Sequence, residues 1–295
     1  MSKEHRAGFV NIIGNPNVGK STLMNAMVGE KLCIVTAKAQ TTRHRIMGIV
    51  NTEDCQIVYS DTPGILKPNY RLQRNMMDFV DEAIGDADVI LYVTDTVEKA
   101  DKNSDYLLKL KSVNCPVILV VNKIDLSTQE KVVELMDFWK SELPSARIIP
   151  ASAKERFGLD NILDSVREFL PVAPPWFDKD AFTDRNLRFF ASEIVREKIL
   201  LNYRDEIPYC CEVEIESFKE GADRYDISAV INVMRDSQKG ILIGRNGSAL
   251  KKTGTDARLE MEDFFQKKVF LQLFVKVNPD WRENRKELRK FGYEN

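Results

Sequence analysis

Short apolar runs alternate with segments of helical periodicity over the first 170 or so residues. The predicted strands lie at residues 8–13, 45–51, 55–60, 88–93, 117–121 and 147–150. Several of them are continuously apolar, which is typical of strands that helices cover on both faces. The last helical segment places Leu159, Ile162 and Val166 on one face. This alternation predicts an α/β domain with a mostly parallel, doubly wound sheet.

A different pattern follows a cluster of prolines at Pro171, Pro174 and Pro175, which neither a helix nor a central strand accepts. After it come one helical segment, two alternating segments that predict an antiparallel hairpin, two more helices and a third alternating segment at 269–277. We predict a smaller α+β domain, with boundaries at 1–172 for the first domain, 173–183 for a linker and 184–295 for the second.

Composition narrows the class of protein. The chain is 43% hydrophobic and 30% charged, as in ordinary globular proteins, and it has no apolar run near the length of a membrane helix or signal peptide. We therefore expect a cytoplasmic protein with no transmembrane segment. Its five cysteines lack metal-ligand spacing and are expected to be reduced, and Cys210 and Cys211 point to opposite faces if their segment is a strand.

Charge is unevenly distributed along the chain. The net charge is −2, yet the part from Arg235 onward carries 14 Lys and Arg against 9 Asp and Glu. A local excess of positive charge favours a polyanionic partner for the second domain.

The segment from Gly14 to Ser21 matches the pattern G-x-x-x-x-G-K-S, between a predicted strand and a predicted helix. In this setting backbone N–H groups cradle a diphosphate, Lys20 reaches the β- and γ-phosphates and Ser21 holds Mg²⁺. The residues expected to contact nucleotide here are Asn15, Asn17, Val18, Gly19, Lys20, Ser21 and Thr22.

Base recognition is predicted at two later strand ends. Asn122, Lys123 and Asp125 follow the strand 117–121, where the Asp125 carboxylate accepts hydrogen bonds from N1–H and the amine of guanine. Ser152, Ala153 and Lys154 follow the last strand, where a backbone N–H reaches the guanine oxygen. Together they favour guanine over adenine.

Metal and switch residues are predicted between these motifs. Asp61 ends a strand and is expected near Mg²⁺, and the N–H of Gly64 near the γ-phosphate. Thr42 is preferred over Thr41 as the hydroxyl that joins Mg²⁺ while a γ-phosphate is present. The expected metal ligands are Ser21, Thr42 and Asp61, and the expected catalytic residues are Lys20, Thr42 and Gly64. His44 is expected to face solvent without a catalytic role.

In the second domain, a G-x-x-G segment with basic neighbours stands between two predicted helices. Glycines at these positions let the backbone approach a phosphodiester chain, and this layout is that of a KH domain, in its type II strand order. The expected RNA-binding residues are Lys239, Ile241, Gly244, Arg245, Asn246, Gly247, Lys251 and Lys252.

Taken with the motifs Thr-Thr-Arg-His-Arg, Asp-Thr-Pro-Gly and Ser-Ala-Lys, these segments resemble the Era family of GTPases along essentially the whole chain. The resemblance implies GTP hydrolysis and binding near the 3′ end of small-subunit ribosomal RNA during subunit assembly. Where Ras-like enzymes carry a water-orienting glutamine this chain has Ile65, which implies slow hydrolysis or another device. In related GTPases an asparagine at the position of Asn17 helps to bind K⁺, so K⁺ is a further expected cofactor.

Two further expectations are a monomeric state and peripheral association with the inner face of the cell membrane, and the residues themselves decide neither. Two rival functions also stay open. One is a signalling or membrane-associated GTPase whose second domain binds protein. The other is a constitutive RNA-binding protein that holds its nucleotide without hydrolysing it.

Overall fold

The structure is a computed structural model, and it describes residues 4–98 and 104–294, with only the backbone of residue 104. Contacts group them into two compact units. The first contains the residues up to Cys33, then Thr42–Asn69 and Gln73–Asp184. The second contains Ile34–Thr41, Tyr70–Leu72 and the residues from Arg185 onward.

The elements of the N-terminal part alternate between strand and helix. They are β1 (Arg6–Gly14), α1 (Lys20–Val28), β2 (Ile46–Asn51), β3 (Cys55–Asp61), α2 (Arg71–Gly85), β4 (Val89–Asp95), α3 (Ser104–Ser112), β5 (Val117–Asn122), α4 (Gln129–Glu142), β6 (Arg147–Pro150) and α5 (Leu159–Phe169). The six predicted strands are all present, with bounds that differ by at most two residues.

These six strands form one sheet in the order β2-β3-β1-β4-β5-β6. Only β2 and β3 pair in antiparallel fashion; the other neighbours are parallel. The predicted doubly wound α/β fold is confirmed. Every residue of β3, β4 and β5 is buried, which explains their continuous apolar sequences. Because parallel strands end at the same edge of a sheet, the loops after β1, β3 and β5 converge there.

The C-terminal part is an α+β module. It contains α6 (Leu187–Asn202), the short α7 (Ile207–Cys210), β7 (Glu212–Glu220), β8 (Arg224–Val233), α8 (Asp236–Ile243), α9 (Ser248–Phe265), β9 (Lys268–Val277) and α10 (Arg285–Lys290). The strand order is β7-β8-β9. The predicted hairpin β7–β8 is antiparallel, and β9 pairs with β8 in parallel.

The core of this module lies on one face of its sheet. It includes Val195 and Ile199 of α6, Ile231 of β8, Leu242 of α8 and Met261 of α9. These side chains are almost fully buried, because α6, α8 and α9 cover that face of the strands.

Two details differ from the sequence-based expectation. Cys210 ends α7 and Cys211 follows it, so they do not alternate across a strand and both are buried. The segment after the proline cluster groups with the first unit as far as Asp184, whereas we expected a linker at 173–183. There Ile49 N donates to Phe182 O over 2.9 Å, so this stretch is held along β2. Among the described residues, no helix is long and apolar enough to cross a membrane.

Candidate nucleotide and RNA sites

The loop between β1 and α1 is shaped by its two glycines. A Cβ at Gly14 would lie 2.1 Å from Val93 O, and one at Gly19 would lie 2.3 Å from Asn122 Nδ2. Gly19 also has a φ of 97°, in the left-handed region that favours glycine. The backbone therefore wraps tightly at both ends of the loop and leads directly into the N-terminus of α1 at Lys20.

Lys20 is folded into this loop. Its Nζ donates to Gly14 O over 3.0 Å and to Asn15 O over 2.8 Å. Burial lowers the pKa of Lys20 from 10.5 to about 8, although the charges of Asp61 and Glu98 favour the protonated form. The ammonium group is thus enclosed where the motif requires a cation for phosphate.

Ser21, Thr42 and Asp61 lie together at the start of α1. The Ser21 hydroxyl donates to Asp61 Oδ2 over 2.6 Å, and the Thr42 hydroxyl donates to the same oxygen over 3.1 Å. The two hydroxyl oxygens are 2.9 Å apart. Thr41 is engaged elsewhere, because its hydroxyl donates to Lys38 O over 2.6 Å. Of the two threonines, Thr42 is therefore the one beside the carboxylate.

This cluster fits a magnesium ion. Asp61 Oδ1 is buried and has no hydrogen-bond partner in the described part of the chain. Burial raises the pKa of the Asp61 carboxyl, with Lys20 and the two hydroxyls opposing the rise. Residues 4–98 and 104–294 show no group of three or more His, Cys, Asp or Glu side chains arranged to hold a metal. One carboxylate with two hydroxyls suits Mg²⁺, which takes its other ligands from phosphates and water.

Asn122 links the phosphate loop to the last strand end. Its Nδ2 donates to Val18 O over 2.8 Å, and its Oδ1 accepts from Ala153 N over 2.9 Å. Sequence reasoning placed Asn122 at the nucleotide but did not identify this bridge. The amide therefore fixes the distance between the two loops that would contact phosphate and base.

Asp125 is exposed in the turn after β5. Ser152 Oγ donates to Asp125 Oδ1 over 2.5 Å, which orients the carboxylate. Lys123 Nζ lies 2.6 Å from the buried Asp95 Oδ2 and 2.5 Å from Asn17 O, so its stem is held across the site. Lys154 is exposed beside these residues.

The turn after β3 approaches the phosphate loop closely. A Cβ at Gly64 would lie 2.7 Å from the Cα of Pro16, so only glycine fits without displacement. The next residue, Ile65, donates its N–H to Gly14 O over 3.2 Å, and its side chain is only 3% exposed. Ile65 therefore packs into the core and does not reach a water molecule at the site.

The structure corrects the expectation for His44 and adds one residue, Glu98. His44 is only 7% exposed and lies near the ring of Phe79, so the prediction that it faces solvent is wrong. Glu98 accepts from Asn15 Nδ2 over 2.6 Å and from the Thr94 hydroxyl over 3.0 Å. No motif marked Glu98, because its only signal is its position three residues after β4.

In the second unit, the G-x-x-G segment forms a tight turn between α8 and α9. Gly244 has a φ of 72°, Asn246 a φ of 51° and Gly247 a φ of 75°. A Cβ at Gly244 would lie 2.6 Å from the Cβ of Ala249. The turn thus depends on left-handed backbone and on a close approach that glycine alone permits.

The predicted RNA-binding side chains surround this turn unequally. Arg245, Asn246 and Lys251 are exposed, and Ile241 is 49% exposed at the end of α8. Lys239 is partly buried on α8. These residues leave backbone, cations and one apolar side chain accessible around the turn.

Lys252 is placed differently from the other cations. Its Nζ lies 2.5 Å from Asp256 Oδ2 and 2.7 Å from Asn202 Oδ1. The ammonium is therefore partly neutralised by its own module, which distinguishes it from Lys251.

Two short N-terminal segments belong to the second unit by packing. Lys38 Nζ donates to Leu200 O and, over 2.5 Å, to Tyr203 O, and Arg196 donates to Thr41 O over 2.5 Å. The guanidinium of Arg282 lies 4.4 Å from the ring centre of Tyr70. No periodicity in the sequence indicated this grouping.

Family models match both parts of the chain. The model described as 50S ribosome-binding GTPase matches residues 9–123, and the KH domain model matches residues 206–282. Together with the loop geometry above, they define a P-loop GTPase that carries a KH domain.

The particular family follows from relatives that match over the full length. GTPase Era of Geotalea daltonii is 46% identical over 294 residues, which cover 99% of each chain. GTPase Era of Caldanaerobacter subterraneus is 44% identical over 292 residues, which cover 98% of each. The chain therefore belongs to the Era family of GTPases.

Two solved structures are similar over nearly the whole chain. A variant of Aquifex aeolicus Era bound to GDP and aluminium tetrafluoride has a TM-score of 0.94 at 38% identity, covering 98% of this chain and 100% of that one. Era in complex with MgGDPNP and nucleotides 1506–1542 of 16S ribosomal RNA has the same TM-score and identity, covering 99% and 100%. The predicted family, two-domain fold and GTPase class are confirmed.

Proposed function

We propose that the protein is a guanine-specific GTP-hydrolysing switch that binds small-subunit ribosomal RNA near its 3′ end through its KH domain and acts in small-subunit assembly. One observation carries this proposal. A shaped phosphate loop with its Ser21, Thr42 and Asp61 cluster occurs in one chain with a G-x-x-G turn on an α+β module. The similarity to a solved Era complex with MgGDPNP and ribosomal RNA supports it.

In this proposal the phosphate loop and Lys20 bind and orient the triphosphate. Replacing the carbonyls of Gly14 and Asn15 by phosphate oxygens gives the buried ammonium a charged partner. Bound Mg²⁺ would supply neutralisation of charge that develops on the phosphates. Ser21, Thr42 and Asp61 would hold it, and the N–H of Gly64 would point at the γ-phosphate.

Base selection is assigned to Asp125. Guanine presents two adjacent N–H donors, to N1 and the amine, and a carboxylate accepts both. The Ser152 hydrogen bond keeps this carboxylate in one orientation before nucleotide arrives. Ala153 and Lys154 complete the rim of the base pocket, and the bridge through Asn122 sets its distance from the phosphate loop.

K⁺ dependence is part of the same proposal. Asn17 is exposed at the rim of the phosphate loop with a φ of 66°, and its carbonyl faces the Lys123 ammonium. Ile65 is buried and apolar and cannot orient water, so K⁺ bound at Asn17 would assist hydrolysis in its place. We expect GTP turnover to be faster in K⁺ than in Na⁺, and Asn17→Ala to abolish the difference. Equal wild-type rates in the two salts would refute a role for K⁺.

The RNA partner is tested in cells and with a defined probe. Crosslinking followed by sequencing of the bound RNA should recover the 3′ end of small-subunit ribosomal RNA. A titration with 16S nucleotides 1506–1542 should give tight binding that weakens as salt rises. Recovery of proteins without RNA would instead support a signalling GTPase, and GTP binding without repeated phosphate release would support a structural nucleotide.

The proposal also covers the protein's location in the cell, its oligomeric state and its association with the membrane. We propose a cytoplasmic protein that is monomeric and associates with the membrane only peripherally. Light scattering checks the oligomeric state, cell fractionation the location, and flotation with anionic lipid vesicles the membrane association. A dimer mass would contradict the monomeric state. The absence of any vesicle-bound fraction would contradict the membrane association.

A further inference from the structure

Two phenylalanine side chains stand exposed on strand β9. Val269, Leu271 and Leu273 pack against the core of the second unit, so the intervening residues point to the opposite face of the sheet. On that outer face Phe270 is 46% exposed and Phe274 is 51% exposed. Exposed aromatic side chains on one face of a strand form an apolar patch, and such patches often mark a binding surface.

The protein's own C-terminal segment covers only the far side of this outer face. The Tyr293 hydroxyl donates to Glu212 Oε2 over 2.8 Å, and Lys290 Nζ lies 2.7 Å from Glu214 Oε2. Both glutamates belong to β7, at the opposite edge of the sheet from β9. The β9 side, with its phenylalanines, is left accessible.

Positive charges flank these rings. On the outer face of β9, Lys268 precedes Phe270 and Lys276 follows Phe274, with Gln272 between the two rings. From β8, the Arg224 guanidinium lies 5.3 Å from the ring centre of Phe270 and also pairs with Asp226 over 3.0 Å. Aromatic faces flanked by cations are the combination that stacks bases and attracts the phosphates of a single strand.

The position of β9 connects this surface to the G-x-x-G turn. Helices α8 and α9, which flank the turn, pack on the other face of β9. For example, a Cβ at Gly254 of α9 would lie 3.3 Å from Leu273 Cδ1. Since β9 is an edge strand, a polynucleotide leaving the turn reaches the outer face by crossing one strand.

We propose that the outer face of β9 is a second RNA contact, on which Phe270 and Phe274 stack two unpaired bases of the strand that the G-x-x-G turn holds. Arg224, Lys268 and Lys276 contact the phosphates of the same segment. The two rings are about 13 Å apart along the strand, so they serve different nucleotides. This inference rests on the proposed RNA-binding function.

The test uses the full-length protein and fragments of 16S nucleotides 1506–1542, shortened stepwise from either end. The shortest fragment that wild type binds defines the segment at the turn. Phe270→Ala combined with Phe274→Ala should leave affinity for this fragment unchanged and lower affinity for the full fragment at least tenfold, since stacking contributes about 1–3 kcal/mol per base. Phe274→Trp should retain wild-type affinity.

The matched control is Leu201→Ala combined with Leu259→Ala, which removes two leucines of similar exposure from α6 and α9. It should bind both fragments like wild type. Undiminished binding of the full fragment by the phenylalanine variant would overturn the inference, and so would an equal loss on both fragments. If the phenylalanine variant bound RNA like wild type but no longer bound a protein, this face would be a protein interface and the inference would be wrong. If wild type bound no fragment, the proposed function itself would be wrong.

Discussion

At the scale of single residues, the candidate nucleotide site is built from side chains whose positions are fixed by hydrogen bonds within the protein. Lys20, Asn122 and Asp61 are buried polar residues, and each has a hydrogen-bond partner within the site. Burying such groups costs stability unless they are paired. The triphosphate and Mg²⁺ that we propose for this site would give these buried polar groups charged partners.

Lys20 gives a pH-dependent prediction for the nucleotide-free protein. Its pKa is about 8 in the folded state and 10.5 ordinarily, so between these values the unfolded state binds more protons. The contribution of Lys20 to stability therefore rises with pH across this window, by about 3 kcal/mol in all. Relative to Lys20→Met, wild type should gain this amount between pH 8 and 10.5. Urea unfolding at several pH values measures it, and a constant difference would contradict it.

Ser21→Ala should abolish Mg²⁺-dependent GTP turnover while GTP remains detectably bound, because we propose that the hydroxyl beside Asp61 holds the metal. Thr41→Ala is the matched control, since the hydroxyl of Thr41 donates a hydrogen bond to Lys38 O and not to Asp61. A phosphate-release assay measures turnover, and equilibrium titration measures GTP binding. Turnover of Ser21→Ala near the wild-type rate would show that the metal assignment is wrong.

At the scale of elements, the sequence predicted strands well and loops only by motif. Runs such as the one in β5 are apolar throughout because the strand is buried on both sides, and that signal is visible in the chain. The partner of Asn15 is a different case, because Glu98 approaches it from a loop 83 residues away. Contacts of this kind depend on sheet order, which the pattern of apolar residues does not contain.

The turn between α8 and α9 supports a prediction about RNA. Gly244→Asp should reduce RNA affinity at least a hundredfold, since the new Cβ meets Ala249 and its carboxylate faces phosphates. Gly85→Asp is the charge-matched control, because nothing lies within 4 Å of a Cβ there. Gel-shift titration measures affinity, and GTP binding shows that the variants are intact. If folded Gly244→Asp bound RNA with wild-type affinity, the turn would not be part of the RNA-binding site.

Two neighbouring lysines of α9 should differ in their salt dependence. Lys251→Ala should reduce the slope of log affinity against log salt by about one, as the loss of a phosphate contact does. Lys252→Ala should reduce it less, because that ammonium is already held by Asp256 and Asn202. The comparison needs titrations at several salt concentrations, and identical slopes for the two variants would contradict it.

At the scale of the whole molecule, the sequence predicted both domains and their order but not the packing of two short segments. Residues 34–41 and 70–72 group with the second unit, although they precede it by more than a hundred residues. The contacts of Lys38 are made to backbone carbonyls of Leu200 and Tyr203, which any sequence provides. Sequence patterns therefore give no indication of them.

This grouping predicts how residues 34–41 respond to a substitution. Lys38→Ala removes hydrogen bonds to two carbonyls at the end of α6 and should increase amide exchange in the segment severalfold. Exchange in the phosphate loop, Gly14 to Ser21, should stay unchanged and serves as the internal control. Hydrogen-exchange mass spectrometry measures both, and unchanged exchange in residues 34–41 would show that these contacts do not hold the segment.

The central claim is that the protein hydrolyses GTP and selects guanine through Asp125. The most direct measurement is multiple-turnover phosphate release from GTP, ATP and xanthosine triphosphate by wild type and Asp125→Asn. Wild type should turn over GTP and not ATP. The variant should lose GTP turnover and gain turnover of xanthosine triphosphate, because the amide donates to the xanthine oxygen that replaces the guanine amine. Equal use of ATP and GTP by wild type, or an unchanged preference in the variant, would contradict the account.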